Sequence, residues 1–504
     1  MHERFLSLIA FIAFAAVFSG CKVGPNYSRP CARSSNAWID SPNPRLQGQT
    51  DDPNHWWLVF GDERLCDLVQ RAANENLTLK QAGLRVAEAR YQRGIATGSF
   101  FPQTQLAAGH YNHRQLSKNN ANFRSSSSQR NFDQVALGSG VAWELDFWGR
   151  FRRSIEVADA ELDASIHGYD AALVILLGDV ANTYIDIRTL ERRLQLAREN
   201  VQIQYDTFAL VQKKFDGGLV SELDVAQSKA NLHQTESLIP SLGIRYRQAS
   251  NLLCILLGMP PIDLEEILGR TEQIPVPPSQ VAVGIPADLL RQRPDVRRAE
   301  RQLAAQCSRI GVAASDFYPH LSIAGTLNVE SKFGSNLLQS GSLAGVVGPN
   351  FRWDILNYGR IKNNVRMQDA AFNRLAHAYE QSILEAHQQV EDGLVTFVQT
   401  HEKIASLEKT VEASSRAVQL SSLQYRAGTV DFNRVFQSQV DRVKQQDQLA
   451  TAQGELAQSL VSVYRALGGG WQIRLNEKFP VARELTEDVN HSPQIVAFLP
   501  PPLT

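Results

Sequence analysis

The sequence predicts a mainly α-helical chain that also carries strands of a membrane β-barrel. It is built as two tandem repeats, each a β-hairpin plus long coiled-coil helices. The first observation is a seven-residue apolar spacing. Leu173, Val180, Ile187, Leu194, Val201, Phe208 and Phe215 keep it, and Ile383, Val390, Phe397, Ile404, Val411, Val418 and Tyr425 repeat it 210 residues later. A repeat of seven sustained this long marks coiled-coil-like packing of long helices. The second is that the same offset of 210 pairs Trp143 with Trp353, Gly149-Arg150 with Gly359-Arg360, Gly218 with Gly428, Gln227-Ser228 with Gln437-Ser438, and Leu257-Gly258 with Leu467-Gly468. Upstream the offset becomes 217, which pairs Phe101-Pro102 with Tyr318-Pro319. The third is that both copies contain alternating apolar and polar segments of about ten residues, with aromatics near one end, as in a membrane-barrel wall.

At the N-terminus, Arg4 precedes the apolar run Phe5 to Phe18, which reads as an export signal over residues 1–20. Ser19-Gly20-Cys21 resembles a bacterial lipobox, with Phe18 where Leu is usual, so Cys21 is the expected site of lipidation. The segment 21–60 is rich in Pro, Asn and Ser up to Pro53 and reads as extended. Repeat 1 covers 61–270. Trp56-Trp57 leads into a helix with Leu65, Leu68, Val69 and Ala72 on one face, and a second helix runs from Leu77 to Ile95. Repeat 2 covers 280–473, and its counterpart helix, Pro294 to Val312, opens on a proline whose fixed φ and missing N–H suit the first turn.

Each repeat then changes period. Hairpins are expected over about 103–147 and 320–356. Val135, Leu137, Val141, Trp143, Leu145 and Phe147 line one face in the first copy. In the second, Leu321, Ile323, Leu327 and Val329, then Val347, Phe351, Trp353 and Ile355, do the same. The polar spacers Gln115 to Arg130 and Ser331 to Ser342 would be loops at a barrel mouth. A soluble antiparallel sheet with one wet face fits the alternation equally well. Four strands cannot close a membrane-spanning barrel, for which about eight is the minimum, so closure would need several chains.

Long helical hairpins follow, over about 149–258 and 359–467. No proline lies between Gln103 and Ile239 or between Asn350 and Phe479. A helix from Gly149 to Phe215 would reach on the order of 100 Å at 1.5 Å per residue. At the hairpin tips Gly218-Leu219-Val220 matches Gly428-Thr429-Val430. Each Gly suits a left-handed position after a helix, and Ser221 and Asp431 suit N-caps for the returning helices, Glu222 to Leu257 and Phe432 to Leu467. Asp224 and Arg434 are equivalent positions of opposite charge; an acid suits a helix N-terminus and an arginine does not. Gln437, Gln439, Gln445, Gln446, Gln448, Gln453 and Gln458 would form a polar lining or a solvated face. Residues 474–504 lose all pattern and read as a flexible tail.

The composition excludes several classes. A formal net charge of −1 over 504 residues argues against a nucleic-acid partner. Beyond the signal no apolar run reaches the length of a spanning helix. Cys31, Cys66, Cys254 and Cys307 show no metal spacing, although a disulfide is open in an oxidising compartment. His110 and His113 have no acidic ligand near them in sequence, and Gly138-Ser139-Gly140 lies mid-strand, where Gly marks close approach or a bend. No catalytic or cofactor motif is present; the expected covalent group is the lipid on Cys21.

Five stretches taken in order resemble the outer-membrane efflux factor family, TolC-like, in its NodT-type lipoprotein branch. They are Cys21-Lys22-Val23-Gly24-Pro25-Asn26-Tyr27; Trp56-Trp57; Trp143-Glu144-Leu145-Asp146-Phe147-Trp148-Gly149-Arg150; Ile285-Pro286-Ala287-Asp288-Leu289-Leu290-Arg291-Gln292-Arg293-Pro294-Asp295; and Ala466-Leu467-Gly468-Gly469-Gly470-Trp471. The resemblance implies a homotrimer with a twelve-stranded β-barrel in the outer membrane, continued by a twelve-helix α-barrel in the periplasm. It implies passive export from an inner-membrane efflux pump through a periplasmic adaptor, with the tips at Gly218, Leu219, Val220, Asp224, Gly428, Thr429, Val430 and Arg434 forming the gate and adaptor contact. Val430 stands where the family's pattern has an Arg. The alternative from another class is a lipid-anchored periplasmic scaffold or adaptor without a pore.

Overall fold

The computed structural model describes residues 21–30, 37–47, 53–117, 119, 130–269, 273–282 and 292–475. The export signal, Cys31, most of the first spacer, Ile285 to Arg291 and the tail from residue 476 lie outside the described residues. In chain order the main elements are α1 (Glu63–Glu75), α2 (Leu77–Gly98), β1 (Thr104–Gln115), β2 (Asn131–Leu145), α3 (Arg150–Asp216), α4 (Glu222–Glu236), α5 (Leu238–Leu256), α6 (Pro294–Ser315), β3 (His320–Ser331), β4 (Leu343–Arg352), α7 (Arg360–Arg426) and α8 (Phe432–Ala466). Both α3 and α7 are single helices of 67 residues.

Two compact units emerge, and each draws on both repeats. One comprises the described residues within 1–31, 86–165 and 298–379; the other comprises those within 32–85, 166–297 and 380–504. The first unit holds a four-stranded antiparallel sheet in the order β1-β2-β3-β4. Its register puts the alternating apolar residues side by side: Leu137 opposite Val329, Trp143 opposite Ile323, Leu145 opposite Leu321. Leu321 in turn faces Phe351, and Gly325 faces Val347. One face of the sheet is therefore mainly apolar, broken by Gln105 and Ser139 and, toward one end, by His113 and Asp133. The other carries Gln134, Glu144, Asn328, Glu330 and Asn350, interrupted by Leu106 and Val346. Strand β1, the least patterned in sequence, pairs with β2 over all 12 of its residues.

The two repeats use the same anchor beneath the strands. The Trp143 indole N–H donates to the Phe100 carbonyl at 3.1 Å, and Trp353 to that of Phe317 at 3.0 Å. His113 does have an acidic neighbour, contrary to the sequence reading: Asp133 stands opposite it in the ladder, with Nδ1 and Oδ1 2.7 Å apart. Among the described residues no group of His, Cys, Asp or Glu is arranged to hold a metal.

The second unit is the helical one. Its first seam behaves as a heptad only in part. Leu173, Val180, Ile187 and Leu194 are buried, but Val201 and Phe208 are half-buried and Phe215 is exposed. A second set of positions, three residues on from the first seam, takes over, with Leu190, Ala197, Gln204 and Val211 all buried. A straight α-helix drifts by about 20° per heptad, so a strict repeat of seven walks off the contact face. Gln204 pays for the exchange: neither amide atom has a hydrogen-bond partner among the described residues. The second copy loosens in the middle, where Ile404 and Val411 are half-buried, but Val418 and Tyr425 are buried again at its far end.

Three further expectations change. The first returning helix is split into α4 and α5, because Pro240 has no N–H for the Glu236 carbonyl; its equivalent is Ala450, and α8 runs unbroken for 35 residues. The glutamines of α8 are not simply a wet face. Gln439 donates to Thr207 at 2.8 Å and accepts from Asn231 at 3.1 Å, while Gln446 accepts from Asn200 at 2.8 Å. Finally, α3 does contain an 18-residue window long and apolar enough to span a membrane by composition. Leu177, Val180, Ala181, Ile185 and Ile187 are wholly buried inside the helical unit, so the stretch is core.

Candidate functional site: the hairpin tips and the anchored N-terminus

Both tips are built by one backbone device. The last turn of α3 closes with Gly218 N–H on the Phe215 carbonyl and Leu219 N–H on that of Lys214, both at 2.8 Å. The α7 turn repeats it, with Gly428 on Tyr425 at 3.1 Å and Thr429 on Gln424 at 3.0 Å. This pattern needs a left-handed residue, and the two glycines take φ of 72° and 75°. Gly218, Leu219, Gly428 and Thr429 are exposed, while Val220 and Val430 turn inward.

Inward they meet a small core of Val211, Tyr425, Phe432 and Val435, packed by Leu210, Val220, Val225, Val430 and Phe436. The two tips of one chain thus pack on each other. Lys214 donates to the Tyr425 carbonyl at 2.5 Å and lies 4.2 Å from the centre of its ring. Tyr425 is the residue the sequence reading missed, since as the last member of the seam it looked like packing alone. Its hydroxyl is buried without a hydrogen-bond partner among the described residues. Burial, and next the charge of Asp224, push its pKa upward.

The charged pair is treated unequally. Ser221 and Asp224 form a full capping box at the start of α4. Asp431 occupies the equivalent cap position with extended backbone but makes no side-chain cap bond. Arg434 is exposed and has no ion pair among the described residues. Asp224 and Arg434 are not brought together within one chain.

The N-terminal stretch is fastened residue by residue in the first unit. Val23 N–H donates to the Trp148 carbonyl at 3.1 Å. The Arg153 guanidinium, itself buried, donates to the carbonyls of Val23 (3.1 Å) and Gly24 (3.0 Å) and to the Asn26 side chain (3.0 Å). Lys22 is paired with Glu156. Gly24 must be Gly, because its φ is 89° and a Cβ would stand 2.4 Å from the Gly311 Cα. Cys21 itself is exposed and free, and Cys66, Cys254 and Cys307 are also free thiols. No sequence signal marked Arg153 as the holder of this segment.

Residues 68–259 and 285–469 match the family described as "Outer membrane efflux protein". The chain belongs to this family. Nodulation protein T of Rhizobium leguminosarum bv. trifolii is 29% identical over 465 residues, covering 91% of this chain and 96% of that protein. Outer membrane protein OprJ of Pseudomonas aeruginosa is 28% identical over 466 residues, covering 92% and 96%. Among solved structures, the outer-membrane channel OprN is 31% identical with a TM-score of 0.83, covering 90% of this chain and 100% of that one. The Campylobacter jejuni CmeC outer membrane channel, at 22% identity and a TM-score of 0.81, shares the fold. As a member of the outer membrane efflux family the chain is an outer-membrane channel protein and not an enzyme.

Proposed function

We propose that the chain is the exit duct of a tripartite efflux system, conducting substrates passively from an inner-membrane pump across the periplasm and outer membrane. The observation that carries this reading is the sheet. It has one mainly apolar and one mainly polar face, and among the described residues β1 and β4 leave both edges unpaired. Unpaired edges are costly, above all in lipid, where every backbone polar group must be satisfied. Three copies would join the edges into a closed barrel of twelve strands, apolar face to lipid and polar face to the lumen, above twelve helices. The export signal, the two repeats and the tail at 474–504 divide the chain accordingly.

The tips are read as the periplasmic gate and adaptor contact. In this reading Arg434 of one chain meets Asp224 of its neighbour across the tip. Exposed pairs of this kind are worth about 0–1 kcal/mol each, so such a ring closes weakly and adaptor binding can open it. The unpartnered Arg434 supports the reading, and the Ser221 cap on Asp224 competes with it. Cys21 is read as the lipid site. The fastening of Val23 to Asn26 supports an anchor that emerges at a fixed place.

Purified protein in a planar bilayer tests the central reading, because a pore-less scaffold gives no conductance. Opening in Arg434→Asp and in Asp224→Arg, with reclosure in the double swap, supports the lock; three unchanged closed channels rule it out. Cys21→Ser abolishes labelling by radiolabelled fatty acid while protein still reaches the outer membrane; labelling that survives the substitution removes Cys21 as the site.

A further inference from the structure

The polar face of the sheet ends, at its helix-side margin, in a charged cluster that neither the tips nor the anchor use. His320 opens β3, with Arg352 opposite it on β4. Its Nδ1 lies 2.8 Å from Oε1 of Glu144 on β2, and its Nε2 lies 3.9 Å from Asp316. Arg150, at the start of α3, donates to the same Glu144 oxygen at 3.4 Å. His320 thus has one hydrogen bond, between Nδ1 and Glu144, and a second carboxylate, Asp316, beyond hydrogen-bond distance on its Nε2 side.

The repeat relation makes this cluster unequal. At the offset of 217, His320 corresponds to Gln103. Gln103 also holds Glu144, through the backbone: its Oε1 accepts from the Glu144 N–H at 2.7 Å and its Nε2 donates to the carbonyl at 3.2 Å. Two equivalent positions thus converge on one residue, one with a neutral side chain and one with a titratable side chain. Glu144 and Asp316 balance Arg150 and Arg352 while His320 is neutral. A proton on His320 leaves the cluster net positive.

We propose that His320 sets the charge selectivity of the duct, favouring anions when it is protonated. The inference rests on the reading that the polar face lines the lumen. Rings of charged side chains decide which ions a pore passes, and a pore wall of low dielectric focuses their field. Histidine is the side chain whose charge changes between pH 5 and 8. The His320 side chain is 14% exposed and that of Glu144 27%, so the charge is screened less by salt than one held out in solvent.

The experiment is the anion-to-cation permeability ratio of the purified full-length protein in a planar bilayer, under a potassium chloride gradient, at pH 8 and pH 5. The ratio is expected to rise about twofold or more on acidification, as for an added ring of like charge. His320→Gln, which installs the residue already tolerated at position 103, should remove the rise, whereas His113→Gln should keep it. A conducting channel whose ratio is the same at both pH values overturns the proposal alone, and so does a rise that persists in His320→Gln. No conductance at either pH overturns the duct reading beneath it.

Discussion

Gly218 and Gly428 take φ of 72° and 75°, Gly258 and Gly468 take 72° and 74°, and Gly149 and Gly359 take 78° and 81°. Between these matched glycines the side chains part company. Ser221 and Asp224 close a capping box where Asp431 and Arg434 do not. Arg188 stands fully buried where the second repeat has Val398, and Pro240 breaks a helix that Ala450 continues. The difference teaches that the repeat fixes where the backbone turns, while charge and polarity are free to differ between copies. The backbone devices are confined by geometry, since few residues tolerate a left-handed φ. The side-chain chemistry answers to its surroundings, which differ between the copies.

The sharpest way to break the comparison is at Arg188. It donates to Tyr184 (3.2 Å), Glu191 (2.8 Å) and the carbonyls of Leu268 (2.6 Å) and Gly269 (3.1 Å). Removing one member of a buried charged network costs about 3–5 kcal/mol, so Arg188→Leu should lower the urea midpoint by far more than a surface change. Val398→Arg should be similarly damaging, because it places a charge at a buried apolar position.

The next effect concerns the strands. Val347 and Phe351 lie exposed on the apolar face, while the polar face carries the half-buried Gly348 and the exposed Asn350. Arg at Val347 should cost about 2–4 kcal/mol per chain if the position meets the bilayer midplane, read as unfolding of protein refolded into vesicles. Arg at Gly348, where a Cβ meets nothing within 4 Å, should be milder. Equal tolerance at both sites would return the sheet to a soluble role.

Smaller still is the capping contrast. Ser221→Ala should cost about 1 kcal/mol, as loss of a bonded cap does. Asp431→Ala should change stability by no more than a few tenths of that, because no cap bond is lost. Hydrogen exchange at the first turns of α4 and α8 separates the two. Smallest at neutral pH is Tyr425→Phe, which removes a hydroxyl without a partner. The raised pKa of Tyr425 means that its stabilising contribution is full below the ordinary tyrosine range and is lost as pH climbs through the folded value. The Phe variant should therefore lose less stability than the parent in alkali, as followed by thermal melting at pH 8 and pH 11.

How much of this was legible in sequence follows the same division. The helix ends, the tip turns and the strand faces could be read because Gly, Pro and period-two alternation are local signals. The split at Pro240 was legible too, and the expectation of one returning helix overlooked it. The drift from one seam to the other was not, because it accumulates over the length of α3 and shows only when the neighbours are in place. Tyr425, Arg153 and the His113–Asp133 pair were hidden for another reason. Each acquires its role from a residue 20 or more positions away, and spacing along the chain carries no trace of such a meeting.

The fastening of the N-terminus has a mechanical consequence. Val23, Gly24 and Asn26 are all gripped by Arg153 or Trp148, so any group attached at Cys21 would have a slack of only two residues, about 7 Å at full extension. A lipid proposed there could not act as a leash that lets the protein wander beneath the membrane. It would act as a rivet, holding the strand-bearing unit close to the leaflet that the lipid enters.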